Sequence, residues 1–161
     1  MHNLPGTVAI LAYDGLCTFE FGIAVEIFGL ARPEFDFPWY EHAIAAVDPG
    51  PMRATGGIQV LADGGMELLE NARTIIIPGW RSRHEPVPPA LLLALRQAHA
   101  RGARLLSICS GVFVLAATGL LDGVTTNPSL MAKVGISGEE AVMQHYKTMC
   151  IEALHGWVEI D

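Results

Sequence analysis

The sequence predicts a doubly wound α/β sandwich with a mostly parallel sheet, folded as one domain. Three observations carry that expectation. Apolar runs rich in β-branched residues recur at 7–12, 42–47, 74–77 and 105–108, and stretches of helical spacing separate most of them. Strands alternating with helices imply parallel pairing through crossovers. Apolar residues make up 51% of the chain and charged residues 17%, which fits a sheet covered on both faces, since a half-exposed sheet carries more polar positions. At 161 residues the chain fills one domain and is too short for two ordinary ones.

Charge and cysteine usage exclude several function classes. The net charge is −7, and no basic run or zinc-ligand spacing offers a phosphate-binding surface, so nucleic acid is not an expected partner of this chain. Cys17, Cys109 and Cys150 form no paired framework, and neither a signal peptide nor an apolar run of membrane length is visible. The reducing cytoplasm is the expected compartment, with no membrane contact and no cofactor.

In chain order, residues 7–12 read as a buried strand that ends in the turn Tyr13-Asp14-Gly15. Thr18 is placed to cap a helix over 19–30, with Phe21, Ala24, Val25 and Phe28 on one face. Glu20 falls in the first turn and has two readings. It can complement the helix dipole as a carboxylate, or, if buried, donate a hydrogen bond as a carboxylic acid to the Cys109 thiolate. Residues 32–40 form an aromatic loop that can rim a pocket, make a subunit contact or cover a core edge. Residues 42–47 follow as a second strand, and 56–60 as a short ribbon.

Residues 74–77 form the most clearly marked strand, and it stops at Pro78-Gly79-Trp80. Such a corner can aim the amide of Gly79 or Trp80 at a neighbouring site, as in an oxyanion hole. It can equally end the strand for conformational reasons alone. His84 and Glu85 in the loop 81–88 lack a second ligand at metal spacing. Pro89 starts a helix carrying Leu91, Leu92, Leu95, Ala98 and His99, which ends near Gly102.

The chain is organised around the stretch 105–117, where an apolar strand meets Cys109-Ser110-Gly111 and passes into helical spacing. A strand joined to a helix in this way forms a nucleophile elbow, with the Cys109 sulfur at the carboxyl edge of the sheet. Amides from Ser110 onward would favour its thiolate, and Gly111 lets backbone approach closely. The competing reading is a buried, unreactive cysteine in a core helix. Ligands of such sheets bind outside the strand carboxyl ends.

Residues 8–123 resemble the PfpI-like class I glutamine-amidotransferase superfamily, most closely the amino-terminal sensor domain of AraC-type transcriptional regulators. The motifs that carry this are 8–15, Phe19-Glu20-Phe21-Gly22, Glu26-Ile27-Phe28-Gly29, Ile77-Pro78-Gly79 and Ser107-Ile108-Cys109-Ser110-Gly111. The resemblance implies a flavodoxin-like fold, an elbow at Cys109, Glu20 as its acidic partner, and a homodimer. Relatives then continue into a strand bearing a histidine. This chain has Val124-Thr125-Thr126-Asn127-Pro128 there, and the Asn127 amide cannot act as a base.

Residues 119–133 resemble the second strand and following loop of the small transaldolase and fructose-6-phosphate aldolase family, a TIM-barrel fold. In that family the residues matching Thr126 and Asn127 line the substrate site. Its Schiff-base lysine lies on a later strand absent here, and Lys133 sits outside the motif, so transaldolase activity is not expected. Ser137 and Glu140 make a capping box for a helix over 139–154 with an apolar stripe of Val142, Tyr146, Met149, Cys150 and Ala153, and 157–160 can form a closing strand. The expectation is a recombined or engineered chimera, PfpI-like over 1–118 and transaldolase-like over 119–161, without an intact native activity. One alternative is a small-molecule sensor domain of a regulator, lacking its DNA-binding segment. The other is a weak cysteine hydrolase, hydratase or glyoxalase-like enzyme using Cys109 and Glu20.

Overall fold

The computed structural model describes residues 6–82, 84–123, 135–136, 138, 140–145 and 148. Its central sheet has four parallel strands in the order β2-β1-β5-β6. β1 spans Val8–Ala12, β2 His42–Ala46, β5 Thr74–Ile77 and β6 Arg104–Ser107. β1 pairs from Val8 with His42 on one side and Thr74 on the other, and β5 runs beside β6 from Thr74↔Arg104 to Ile77↔Ser107. Every residue of β1 and β5 is buried, as a strand between two others and under helices on both faces must be.

Alternate side chains of these strands feed two cores, because neighbouring residues of a strand point to opposite faces. Ala9, Leu11, Ile75 and Ile77 pack with Leu91, Leu95 and Ala98 of helix α2 (Pro89–Ala100) and with Val114 and Leu115 of α3 (Val112–Thr118). Val8, Ile10 and Ile76 pack against α1 (Thr18–Gly29) through Ala24, with Phe21, Val25 and Phe28 beside it. Leucines at 91 and 95 and Ala98 follow the spacing that keeps one helix face on a core.

Several details differ from the sequence-based expectation. Thr18 does not cap α1. Cys17 holds the cap position in extended conformation, while the Thr18 hydroxyl donates to the Thr55 carbonyl at 2.6 Å. A tertiary acceptor has taken the hydroxyl that the local motif would have used. The ribbon is real but starts earlier than 56: β3 (Met52–Arg53) pairs antiparallel with β4 (Gln59–Val60). β6 is an outer strand among the described residues, and Leu106 is 46% exposed.

Residues 140–145 are helical, within the expected 139–154. Thr148 is helical as well; the other residues of that helix, strand 157–160, Thr126, Asn127 and Lys133 lie outside the described residues. Among those described, no helix is long and apolar enough to cross a membrane.

One contact fixes how the turn before α3 meets the sheet. A Cβ added to Gly111 would overlap the carbonyl oxygens of Ile77 and Pro78, so the chain after β6 lies directly on the end of β5. A Gly111→Ala substitution should lower the unfolding free energy by about 1–3 kcal/mol, the usual range for overpacking. Thermal denaturation reads this as a fall of about 2–4 °C for each kcal/mol in a chain of this size. An unchanged midpoint would mean that the chain at 111 can move off β5 freely.

Candidate functional site

The site is built where β6 ends. Ile108 is still extended and its N–H donates to the Ile77 carbonyl at 2.9 Å, prolonging the sheet by one bond. Cys109 then turns sharply with φ of 53°, the only positive φ at a non-glycine position among the described residues. Left-handed backbone is costly for a side chain with a Cβ and is a feature of functional turns. A 3-10 turn over Cys109–Gly111 leads into α3 rather than a helix beginning at Ser110. The Ser110 hydroxyl donates to the Trp80 carbonyl at 3.1 Å, a second tie between this turn and the exit of β5. Cys109 is exposed, unlike a core-helix cysteine.

Gly79 and Trp80 sit beside this turn, both buried. Their carbonyls are engaged, Gly79 by the Tyr13 hydroxyl and Trp80 by Ser110. Their N–H groups have no acceptor among the described residues, which leaves two donors next to the elbow. The Trp80 ring belongs to the core: it is 2% exposed, and its Nε1 donates to the Glu85 carbonyl at 3.1 Å. Only the Trp80 backbone can therefore serve the site.

Glu20 is half-buried in the first turn of α1, and its carboxyl carbon lies 3.3 Å from where a Cβ on Gly79 would stand. It makes no hydrogen bond to Cys109 among the described residues. Its neighbour at this edge is Cys17, a residue that sequence reasoning left out of the site. Cys17 Sγ is 3.0 Å from the same Cβ position. Burial pushes the Cys17 thiol above its ordinary range, and the negative charges of Glu20 and Cys109 add to that effect. The available signal was positional: Cys17 ends the β1-α1 turn, and that turn opens on the same sheet edge as the exit of β5.

The exit of β5 is held by Tyr13, which is fully buried and donates to the carbonyls of both Pro78 and Gly79. Burial, with Cys17 and Glu20 nearby, raises its phenol well above the ordinary range, and Arg81 partly offsets this. Arg81 stands 5.4 Å from the Tyr13 ring and 4.7 Å from the Trp80 ring, and pairs with Asp48 at 2.6 Å. A cavity of about 530 Å³ lined by Phe28, Tyr40, Thr74, His99, Arg104 and Leu106 lies elsewhere. It opens at the amino-terminal ends of β5 and β6, opposite Cys109. Among the described residues no group of three or more His, Cys, Asp or Glu side chains could hold a metal ion.

A parallel sheet with helices on both faces and a cysteine elbow at its carboxyl edge defines a flavodoxin-like, class I glutamine amidotransferase-like architecture. The chain belongs to the DJ-1/PfpI family, whose model matches residues 7–152. It is 32% identical over 120 residues to a Streptomyces lividans protein described as "Uncharacterized protein in cpoL 5'region", covering 74% of this chain and 84% of that one. It is 33% identical over 113 residues to the HTH-type transcriptional regulator CdhR of Pseudomonas aeruginosa, covering 70% of this chain but only 33% of the regulator. Among solved structures, a "putative transcriptional regulator protein" from Vibrio parahaemolyticus matches with a TM-score of 0.63 and 26% identity over 82% of this chain and 70% of that one. An AraC family transcriptional regulator from Pseudomonas putida shares the fold at a TM-score of 0.62 and 19% identity, over 81% of this chain and 71% of that one. A short stretch of 32 residues is 72% identical to a "Probable transaldolase" of Cytophaga hutchinsonii, covering 20% of this chain and 15% of that protein.

The electrostatics of Cys17 are open to direct test. The rate of its alkylation against pH, followed by peptide mass spectrometry, should have its midpoint above that of an unfolded-chain thiol. Glu20→Gln removes a negative charge that opposes thiolate formation, so the midpoint should move down. A midpoint that ignores the substitution would separate Glu20 from Cys17.

Proposed function

We propose that this domain is the small-molecule sensor module of an AraC-type transcriptional regulator, with its ligand recognised at the Cys109 edge. The observation that carries the reading is the likeness to CdhR, which takes in 70% of this chain and a third of that regulator, as a module within a longer protein would. The net charge of −7 suits ligand binding rather than DNA contact, which would fall to another segment. The unengaged amides of Gly79 and Trp80 and the exposed Cys109 thiol favour a ligand with a carbonyl or carboxylate oxygen. The amides would take the oxygen, and Cys109 would face the adjacent carbon.

The alternative reading, a cysteine hydrolase, hydratase or glyoxalase-like enzyme, draws on the same thiol. One experiment addresses both. A panel of small carbonyl and carboxylate compounds should include one that raises the melting temperature, by about 2.7 kcal/mol of added stability at a hundredfold excess over its dissociation constant. Cys109→Ala should weaken that rise. A sensor holds the rise on prolonged incubation, whereas turnover consumes the compound and the rise decays. A panel without effect would remove the sensor reading.

The chimera reading has support in the 72% identity of one short stretch to a transaldolase. Against it, the family match over 7–152 runs through the expected junction near 118, which favours one continuous domain.

We also propose a homodimer through α1. At about 100° per residue, Phe19, Ile23 and Ile27 fall on one side of this helix with Glu26 beside them, opposite Phe21, Ala24, Val25 and Phe28, and Leu30 follows directly after its end. The second set packs on the sheet, while Phe19 is 77% exposed and Ile27 and Leu30 are each 45% exposed. Exposed apolar side chains gathered on one side of an element mark an interaction surface, and a second copy would cover Phe19 and Ile27. Light scattering should give a dimer mass that falls to the monomer mass in Phe19→Lys. A monomeric native protein would overturn this.

A further inference from the structure

Three segments of chain converge at the carboxyl edge of the sheet, and two of them carry thiols. The exit of β5, Pro78-Gly79-Trp80, runs between the β1-α1 turn and the elbow. On one side Cys17 approaches so closely that its Sγ and Cβ lie 3.0 Å and 3.1 Å from a Cβ position on Gly79. On the other, Gly111 rests on the carbonyls of Ile77 and Pro78, and Ser110 is bonded to the carbonyl of Trp80. Gly79 has no side chain to stand between the two. Both cysteines are free thiols, Cys109 exposed and Cys17 half-buried. Both cysteines therefore flank the same three residues, Pro78, Gly79 and Trp80, at one edge of the sheet.

We infer that Cys109 and Cys17 are a redox pair, in which a hydroperoxide oxidises Cys109 and Cys17 closes an intramolecular disulfide across the exit of β5. In the first step the Cys109 thiolate attacks a peroxide oxygen. An S–O bond forms, the O–O bond breaks, and the departing oxygen leaves as water or an alcohol after taking a proton, so that Cys109 is a sulfenic acid. In the second step Cys17 loses its proton and attacks that sulfur. An S–S bond forms, the S–O bond breaks, and hydroxide leaves with the proton as water. Two thiols have together given two electrons to one peroxide.

The surroundings assign the order of the two steps. Cys17 is held in its protonated form by burial and by the Glu20 carboxylate, which leaves first attack to the exposed Cys109. Glu20, three residues further along α1, is the acceptor on that edge for the Cys17 proton. A disulfide needs Cα atoms about 4.4–6.8 Å apart, so its formation tests the geometry as well as the chemistry. The inference is independent of any sensed ligand.

The test uses the whole reduced chain, treated with hydrogen peroxide, quenched by alkylation and mapped by mass spectrometry without reduction. The expected product is a peptide linking Cys17 to Cys109 in a monomer lighter by two hydrogens, restored by dithiothreitol. Cys17→Ser should leave Cys109 as a sulfenic acid and raise its trapping by dimedone several-fold over the native protein. Native protein whose Cys109 passes to sulfinic acid while Cys17 still alkylates would overturn the inference. So would a bridge from Cys109 to Cys150, or one between two chains.

Discussion

The candidate site depends on how Tyr13 holds the residues that follow β5. Its hydroxyl has a single proton to give and shares it between the carbonyls of Pro78 and Gly79. The ring is buried edge-on against Trp80, with centroids 4.7 Å apart. Arg81 covers both rings and is fixed in turn by Asp48. Contacts of this kind contribute about 0.5–1.5 kcal/mol each, so no single one is decisive. Together they hold a segment that would otherwise be a loose strand end. Gly111 rests on Ile77 and Pro78, next to the carbonyls that Tyr13 engages.

The sheet supplies the remaining precision through a division of labour between its strands. β1 and β5 are buried along their whole length and sit between neighbours on both sides. They set the positions of the β1-α1 turn and of the Pro78 corner, each at the carboxyl end of a fully packed strand. β6 has a neighbour on one side only among the described residues, and exposes Arg104 and Leu106. Its end is therefore positioned less by its own burial than by the bonds from Ile108 to Ile77 and from Ser110 to Trp80. The turn at Cys109 is thus placed by the strand beside it.

Much of this was legible in the sequence where local chemistry decides the outcome. Thr74–Ile77 was read to the residue, because a β-branched run stopped by Pro-Gly leaves few choices. The apolar faces of α1 and α2 followed from spacing alone. Thr18 was misread because its hydroxyl found a partner at Thr55, on a ribbon far along the chain, and no local rule contains that partner. Cys17 was passed over for a related reason. Nothing next to it marks it as part of a site, and it matters only because the exit of β5 passes within van der Waals contact. The Trp80 ring was likewise assigned by tertiary packing, as its backbone and side chain serve different neighbours.

The left-handed turn at Cys109 sets backbone strain against the presence of a thiol at a single position. Backbone in that region costs a residue with a Cβ about 1–3 kcal/mol, and glycine escapes most of that cost. Glycine at 109 would relax the turn and abolish the thiol in one change. Selection for a more heat-resistant domain therefore pulls this position away from cysteine, while selection for anything that uses the sulfur pulls it back.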